Sequence, residues 1–421
     1  MNILQISSNA ITGGAARVMY RLHHGFRKRG HHATIFAQWR EIDEENIYCI
    51  GQIDDRSRSA NRIARVAARI ADKAIGETRF YHATSRILDS ALFKSADVIQ
   101  FHNLHGGFFN YKIISEFAAA KPIVWTLHDM WAFTGHCAYA YDCMRWQTGC
   151  HTCPQIRGDR RQWAEPTPTW MDRSAQNWQR KQTLYHQSQL HIVTPSEWLR
   201  NLVSMSILSD AASIRGIPNG IDIDTFRPLD RLQIRRELHL PANASVILFS
   251  ADRIESRRKG FPLLLQALQR LKTPESIVLL TVGHNRMHKS ALQGFQRRDF
   301  GRVDDEAQLA RLYNAADLFI LPSLADNQPL VLLESLACGT PVVAFAVGGI
   351  PEMIEPERTG FLASPGDVAE LAVGIETILA EDDLRARMRQ NCRDLAVHKY
   401  DLEMQIDHYL AVYEQAITMR D

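Results

Sequence analysis

The sequence predicts an α/β protein made of two parallel-sheet domains, and three observations carry that prediction. The chain has 421 residues, too many for one core of common size. Residues 316–352 read strand, loop, helix, strand, the crossover of a parallel sheet. Earlier apolar runs of strand length, at 2–7, 33–37, 97–101 and 122–127, supply a sheet for a first domain.

The crossover is the most informative stretch. Residues 316–322 (ADLFILP) form an apolar run that Pro322 and Ser323 end. After a polar loop, Pro329 fits the first helical position, because its missing N–H would be unpaired there, and the helix extends to about Ala337. Gly339, Thr340 and Pro341 stop it, and 341–345 is the next strand. Ligands of such sheets sit at the strands' carboxyl ends, where this loop lies. The loop carries Asp326, and the second helical turn carries Glu334, whose side chain leans back toward the loop. Free N–H groups at the helix start, near Leu330, favour an anion such as a diphosphate. An anion flanked by two hydroxyl-seeking carboxylates points to a nucleotide sugar. The plainer alternative makes Glu334 an exposed helix residue and Asp326 a turn former.

Composition narrows the classes. With 45% hydrophobic and 23% charged residues the chain is ordinary for a globular protein, and a formal net charge of +2 argues against a nucleic-acid binder. No apolar stretch is long enough to span a bilayer, and residues 1–10 lack the features of a signal peptide, so a cytoplasmic location is expected. The seven cysteines should then be reduced, and clustered ones read first as metal ligands.

In chain order, the first strand at 2–7 leads through 9–16 (NAITGGAA) into a helix starting near Ala15. Gly13 and Gly14 let backbone N–H groups approach a phosphate, although most such pairs only turn the chain, and no third glycine completes a dinucleotide fingerprint. Within 56–74, Arg62, Arg65, Arg69 and Lys73 recur at helical spacing beside Ile63, Val66, Ile70 and Ala74. This basic amphipathic helix suits an anionic membrane surface, or more plainly a solvated face over a buried stripe. The strands at 97–101 and 122–127 end in His102, His105, His128 and Asp129, placing histidines where such sheets do chemistry.

Residues 131–154 then bring Cys137, Cys143, Cys150 and Cys153 together, the last two as a Cys-x-x-Cys knuckle. Four thiolates suit a structural, tetrahedral zinc, with His136 and His151 as substitute ligands; reactive thiols and disulfides are the alternatives. Trp131, Phe133, Tyr139, Tyr141 and Trp146 either stack on sugar rings or, more commonly, pack a core. Residues 190–194 form the last strand of the first domain, and the turn at 217–222 (IPNGID) links the domains. The second domain opens with a strand at 246–250 and a loop carrying Arg253, Arg257, Arg258 and Lys259, of which Arg257 and Arg258 read as solvated. A helix over 400–419 closes the chain.

These motifs resemble the donor-site signature of glycosyltransferase family 4. Asp326 and Glu334 stand where that family has two acidic residues, and SLACGTPVVA at 335–344 and GGIPE at 348–352 match as well. The family usually has Glu at the position of Asp326, which changes the reach of that residue to the sugar. The TLHDxW, TG, TGC and CP pattern from 126 to 154 is similar to that of bacterial colanic-acid and exopolysaccharide glycosyltransferases.

The resemblance implies a GT-B fold, two Rossmann-like domains facing each other across a cleft. It divides the chain into an acceptor domain at 1–218, a donor domain at 219–397 and a helix at 398–421 returning to the first domain. It implies retaining transfer of a sugar from a UDP- or GDP-sugar to a saccharide or lipid-linked acceptor, without a catalytic metal. Gly13 and Gly14 would face the diphosphate, and Arg253, Lys259 and the helix start at Leu330 would hold it. Glu334 would bind the ribose and Val303 would mark the base, while Asp326 and His128 would orient the sugar. The segment 56–74 would touch the cytoplasmic membrane face. A nucleotide-sugar epimerase on the same fold and a non-catalytic nucleotide-sugar scaffold are the competing readings.

Overall fold

The structure, a computed structural model, describes residues 1–50, 58–75, 81, 84–158, 165, 168–241, 243–272, 276–284 and 296–420. It comprises two compact units, Met1–Ile217 with Gln405–Asp421, and Pro218–Met404.

The first unit is built on seven parallel strands: β1 (Asn2–Asn9), β2 (His32–Trp39), β3 (Ile47–Cys49), β4 (Val98–Phe101), β5 (Ile123–Thr126), β6 (Leu190–Thr194) and β7 (Ser213–Gly216). Their order is β3-β2-β1-β4-β5-β6-β7, so the winding reverses between β1 and β4. Every residue of β4, β5 and β6 is buried, as expected of parallel strands covered on both faces. One face packs Ile6, Ile99, Phe101, Trp125 and Ile192 against Phe109 and Phe117. A smaller cluster holds Met19, Ile35, Ala37 and Ile47.

The helix after β1 spans Gly14–Lys28, one residue earlier than the sequence suggests, because Gly13 takes a positive φ of 94 and its carbonyl already accepts from Arg17. The C-terminal helix, Leu402–Thr418, starts two residues later than expected. Tyr400 and Asp401 leave the helical path to pair with Ile221, whose N–H donates to the Tyr400 carbonyl at 2.8 Å. Beyond Met404 that helix belongs to the first unit. Gln5 donates to Gln100, Gln100 to Thr126, and Thr126 shares a hydrogen bond with Tyr409, a buried polar chain from β1 to the helix.

The second unit carries β8 (Ser245–Arg253), β9 (Ile277–His284), β10 (Gln296–Asp299), β11 (Leu318–Leu321), β12 (Val342–Phe345) and β13 (Gly360–Ala363), in the order β10-β9-β8-β11-β12-β13. Numbered from its own first strand this is 3-2-1-4-5-6, the dinucleotide-fold order, with its switch point between β8 and β11. Pro329 precedes the helix Leu330–Ala337 instead of opening it; its extended ψ of 127 makes it the cap. Asp317, at the foot of β11, is buried and takes Arg235 at 2.5 Å, Arg231, and the N–H of Val246 at 2.8 Å.

Residues 58–75 are helical. Residues 56–57 and the side chains of Arg62, Arg65 and Arg69 lie outside the described residues. Val66 and Ile70 are 53% and 55% exposed, so these two do not form a buried stripe. Among the described residues no helix is long and apolar enough to cross a membrane.

Candidate functional site

The switch point of the second unit gathers charge. β8 runs out at Arg253, which is exposed, and a short turn at Arg257–Lys259 brings two more cations inward. Lys259 Nζ donates to Asp326 Oδ2 at 2.6 Å, and Arg258 stands 3.3 Å from Oδ1 while donating to the Ala325 carbonyl at 2.9 Å. Asp326 is 7% exposed. Burial would raise its carboxyl, but Lys259 and Arg258 more than offset that and hold it below the usual carboxylate range.

Two glycines make this approach possible. A Cβ on Gly260, at φ 69, would lie 1.8 Å from the Pro322 carbonyl, and one on Gly348, at φ 57, would lie 1.8 Å from the Asp326 carbonyl. The loop after β11 is thus gripped by backbone on both sides. At its far end Gln328 accepts from the Asn219 backbone at 2.5 Å, tying it to the IPNGID turn.

Glu334 is 1% exposed and accepts from the Tyr313 hydroxyl at 2.9 Å. Burial and the adjacent carboxylate push that phenol well above its usual range, so it keeps the proton it donates. Leu330 opens the helix, and Val303 is buried just before the helix Glu306–Ala315. The structure therefore joins Lys259 to Asp326 but gives Glu334 a different partner.

Sequence inspection missed two contributors. Arg258 was set aside as a solvated cation, yet it is partly buried against Asp326; three adjacent cations in a loop do not reveal which one turns inward. Tyr313 lies on a helix face of core residues, and its pairing with Glu334 leaves no local signal.

In the first unit, Gly13 and Gly14 lie just beyond β1, and among the described residues a Cβ on either would meet no atom within 4 Å. Beyond β4 and β5 the histidines assemble. His102 Nδ1 and His128 Nε2 are 2.9 Å apart with stacked rings, and His105 Nε2 lies 2.8 Å from Asp129 Oδ2. His102 is fully enclosed and its Nε2 has no hydrogen-bond partner among the described residues. Placing its proton there would orphan a buried donor, so the cheaper tautomer carries it on Nδ1 and donates to His128. Burial lowers His128 to about 4, with Asp129 opposing, and lowers His102 well below its ordinary value. Asp129, although burial acts to raise it, is held low by His105 and by the Trp131 N–H at 2.9 Å.

The cysteine lobe follows directly. Trp131, Phe133 and Trp146 pack into the core, while Tyr139 and Tyr141 are partly buried. Lys181 is buried, donates to the Trp131 and Thr134 carbonyls, and lies 3.7 Å from the Trp131 ring centre. All four cysteines carry free thiols. Burial pushes Cys150 up to about 12 and raises Cys137 and Cys153 too. Among the described residues no three His, Cys, Asp or Glu side chains are already set around one point to hold a metal.

Two parallel-sheet units, the second with a cation–carboxylate cluster at its switch point, define a protein of the GT-B class. A family model for Glycosyltransferase Family 4 matches residues 12–225, and one for Glycosyl transferases group 1 matches 230–395. The chain belongs to Glycosyltransferase Family 4. The putative colanic acid biosynthesis glycosyl transferase WcaC of Escherichia coli K12 is 27% identical over 386 residues, 88% of this chain and 89% of that one. D-inositol 3-phosphate glycosyltransferase of Xylanimonas cellulosilytica is 33% identical over 228 residues, 50% of this chain; the match spans only about half, 54%, of that relative's length. Among solved structures, sucrose-phosphate synthase of Thermosynechococcus elongatus superposes with a TM-score of 0.70 at 19% identity, covering 99% of both chains. The Anabaena protein HepE in complex with UDP does so at 0.65 and 17%, covering 99% of this chain and 100% of that one.

Proposed function

We propose that the protein is a retaining glycosyltransferase that moves a sugar from a UDP- or GDP-sugar to a saccharide or lipid-linked acceptor in bacterial cell-surface glycan synthesis. The observation that carries this reading is the Lys259–Asp326–Arg258 cluster at the β8/β11 switch point. Lys259 and Arg258 are cations held in place by Asp326, so they need little reordering to meet a diphosphate whose negative charge grows as the sugar leaves. Glu334, fixed by Tyr313, is assigned the ribose hydroxyls, and the N–H groups before Leu332 the phosphate. Arg253 and Val303 are assigned the diphosphate and base, Gly13 and Gly14 the approach to the phosphate, and His128 with Asp326 the transferred sugar. The acceptor is assigned to the first unit. HepE structures with UDP and with UDP-glucose support a uridine donor, and the colanic-acid relative supports an exopolysaccharide context.

The same reading places the protein in the cytoplasm, in peripheral contact with an anionic membrane face. Val66 and Ile70 are exposed on the basic helix, and Trp170 and Met171, also exposed, are hydrogen-bonded through their backbones to Lys73 and Ala74 at its end.

The test is turnover with nucleotide sugars and a lipid-linked acceptor extract, with product configuration read by NMR. Transfer with retention, lost in Glu334→Ala and kept in Asp326→Glu, is expected. Product from donor alone would favour an epimerase, and no turnover in any version a scaffold.

A further inference from the structure

We propose that Cys137, Cys143, Cys150 and Cys153 bind one structural zinc ion in the lobe that follows β5. The four residues fall between positions 137 and 153, all as free thiols. Their surroundings are arranged around the sulfurs. The Gly135 N–H donates to Cys150 Sγ at 3.2 Å, Cys137 and Cys150 are buried in one core cluster with Cys143 packed against it, and the Cys153 N–H is pinned to Asp172 at 2.7 Å. A backbone donor of this kind favours sulfur carrying negative charge, as a metal-bound thiolate does. Gly135 has no room for a side chain, since a Cβ would lie 2.1 Å from the Ser174 carbonyl.

The knuckle itself is strained. Cys150 and Thr152 take positive φ of 52 and 48, left-handed backbone that non-glycine residues adopt at a cost. Four free thiols on one short lobe, one of them already accepting a backbone N–H, suit a divalent cation of tetrahedral preference, and zinc takes four cysteines at about 2.3 Å. The sulfurs must still close on the ion, because no three yet surround one point. As they close, each thiol yields its proton to solvent and four Zn–S bonds form. Lys181, which grips the Trp131 carbonyl and that of Thr134 next to Gly135, is a buried amine beside the lobe that can carry compensating positive charge.

The ion would brace the segment after His128 and Asp129, and none of its four ligands is a donor residue of the second unit. Its test is therefore independent of the donor reading. Full-length protein purified without chelator should contain one zinc by elemental analysis. Replacement by cobalt(II) should give the thiolate charge-transfer and tetrahedral ligand-field bands of a four-sulfur site. Cys143→Ser and Cys153→Ser should lose most of the metal and melt lower, whereas Cys392→Ser, a buried cysteine of the second unit, should keep its full complement. If the serine variants do not fold, the wild-type cobalt spectrum decides alone. Protein without zinc that gives no such spectrum when reduced and titrated with cobalt, or that shows a disulfide within 137–153 by mass spectrometry, would overturn the proposal.

Discussion

Asp326 uses both carboxylate oxygens on cations of one short turn, 67 residues earlier in the chain. Removing Arg258 or Lys259 should therefore act twice, on the proposed diphosphate contact and on the placement of Asp326. Each charge-assisted contact is worth about 1.5–3 kcal/mol, so Arg258→Ala should weaken nucleotide affinity roughly tenfold or more, measured by calorimetry. An unchanged affinity would return Arg258 to the solvated class. Protonation should matter in the first unit. His128 titrates near 4, His23 near 3 and His102 also below its ordinary value, all first through burial. The unfolded chain then binds more protons below about pH 6.5, so stability falls as pH drops from there toward 4. Melting temperatures across that range should decline, and a flat profile would contradict the buried, neutral histidines. The places of Asp326 and Glu334 beside a helix start can be read from the sequence, because Pro329 and the polar loop mark that start locally. Those of Arg258 and Tyr313 cannot, since their roles depend on partners that only the folded sheet brings near.

At the scale of elements, glycines set the closest approaches. Gly25 in the helix Gly14–Lys28 faces Ile406 of the C-terminal helix, where an added Cβ would sit 2.1 Å from Cδ1. Overpacking costs about 1–3 kcal/mol, so Gly25→Val should lower the denaturation midpoint, whereas a solvated Gly25 would leave it unchanged. Gly348→Ala should impair nucleotide binding more than stability, because it displaces the Asp326 backbone directly. Asp317→Ala should cost about 3–5 kcal/mol by leaving Arg231 and Arg235 without their carboxylate, read as a loss of unfolding free energy. The central strands of both sheets were readable from apolar runs ended by Pro, Gly or His, but the edge strands β3, β7, β10 and β13 were not. β7 follows the strand at 190–194 that the sequence makes the last of its domain. Edge strands of three or four residues, half-exposed, leave no apolar run. The break at Tyr400 was not readable either, because Ile221 decides it from far along the chain.

For the molecule as a whole, two units of like topology divide the chain, and the polar cluster at the second switch point sets the proposed direction of its chemistry. The cysteine lobe is the chief departure from that shared plan. The most direct test of the central claim is a melting-temperature panel with UDP, GDP, ADP and their sugars, since a ligand that binds only the folded state must raise it. The account predicts stabilisation by one nucleotide family, lost in Lys259→Ala and in Glu334→Ala. No shift with any nucleotide at millimolar concentration would contradict a donor site at Lys259, Asp326 and Glu334.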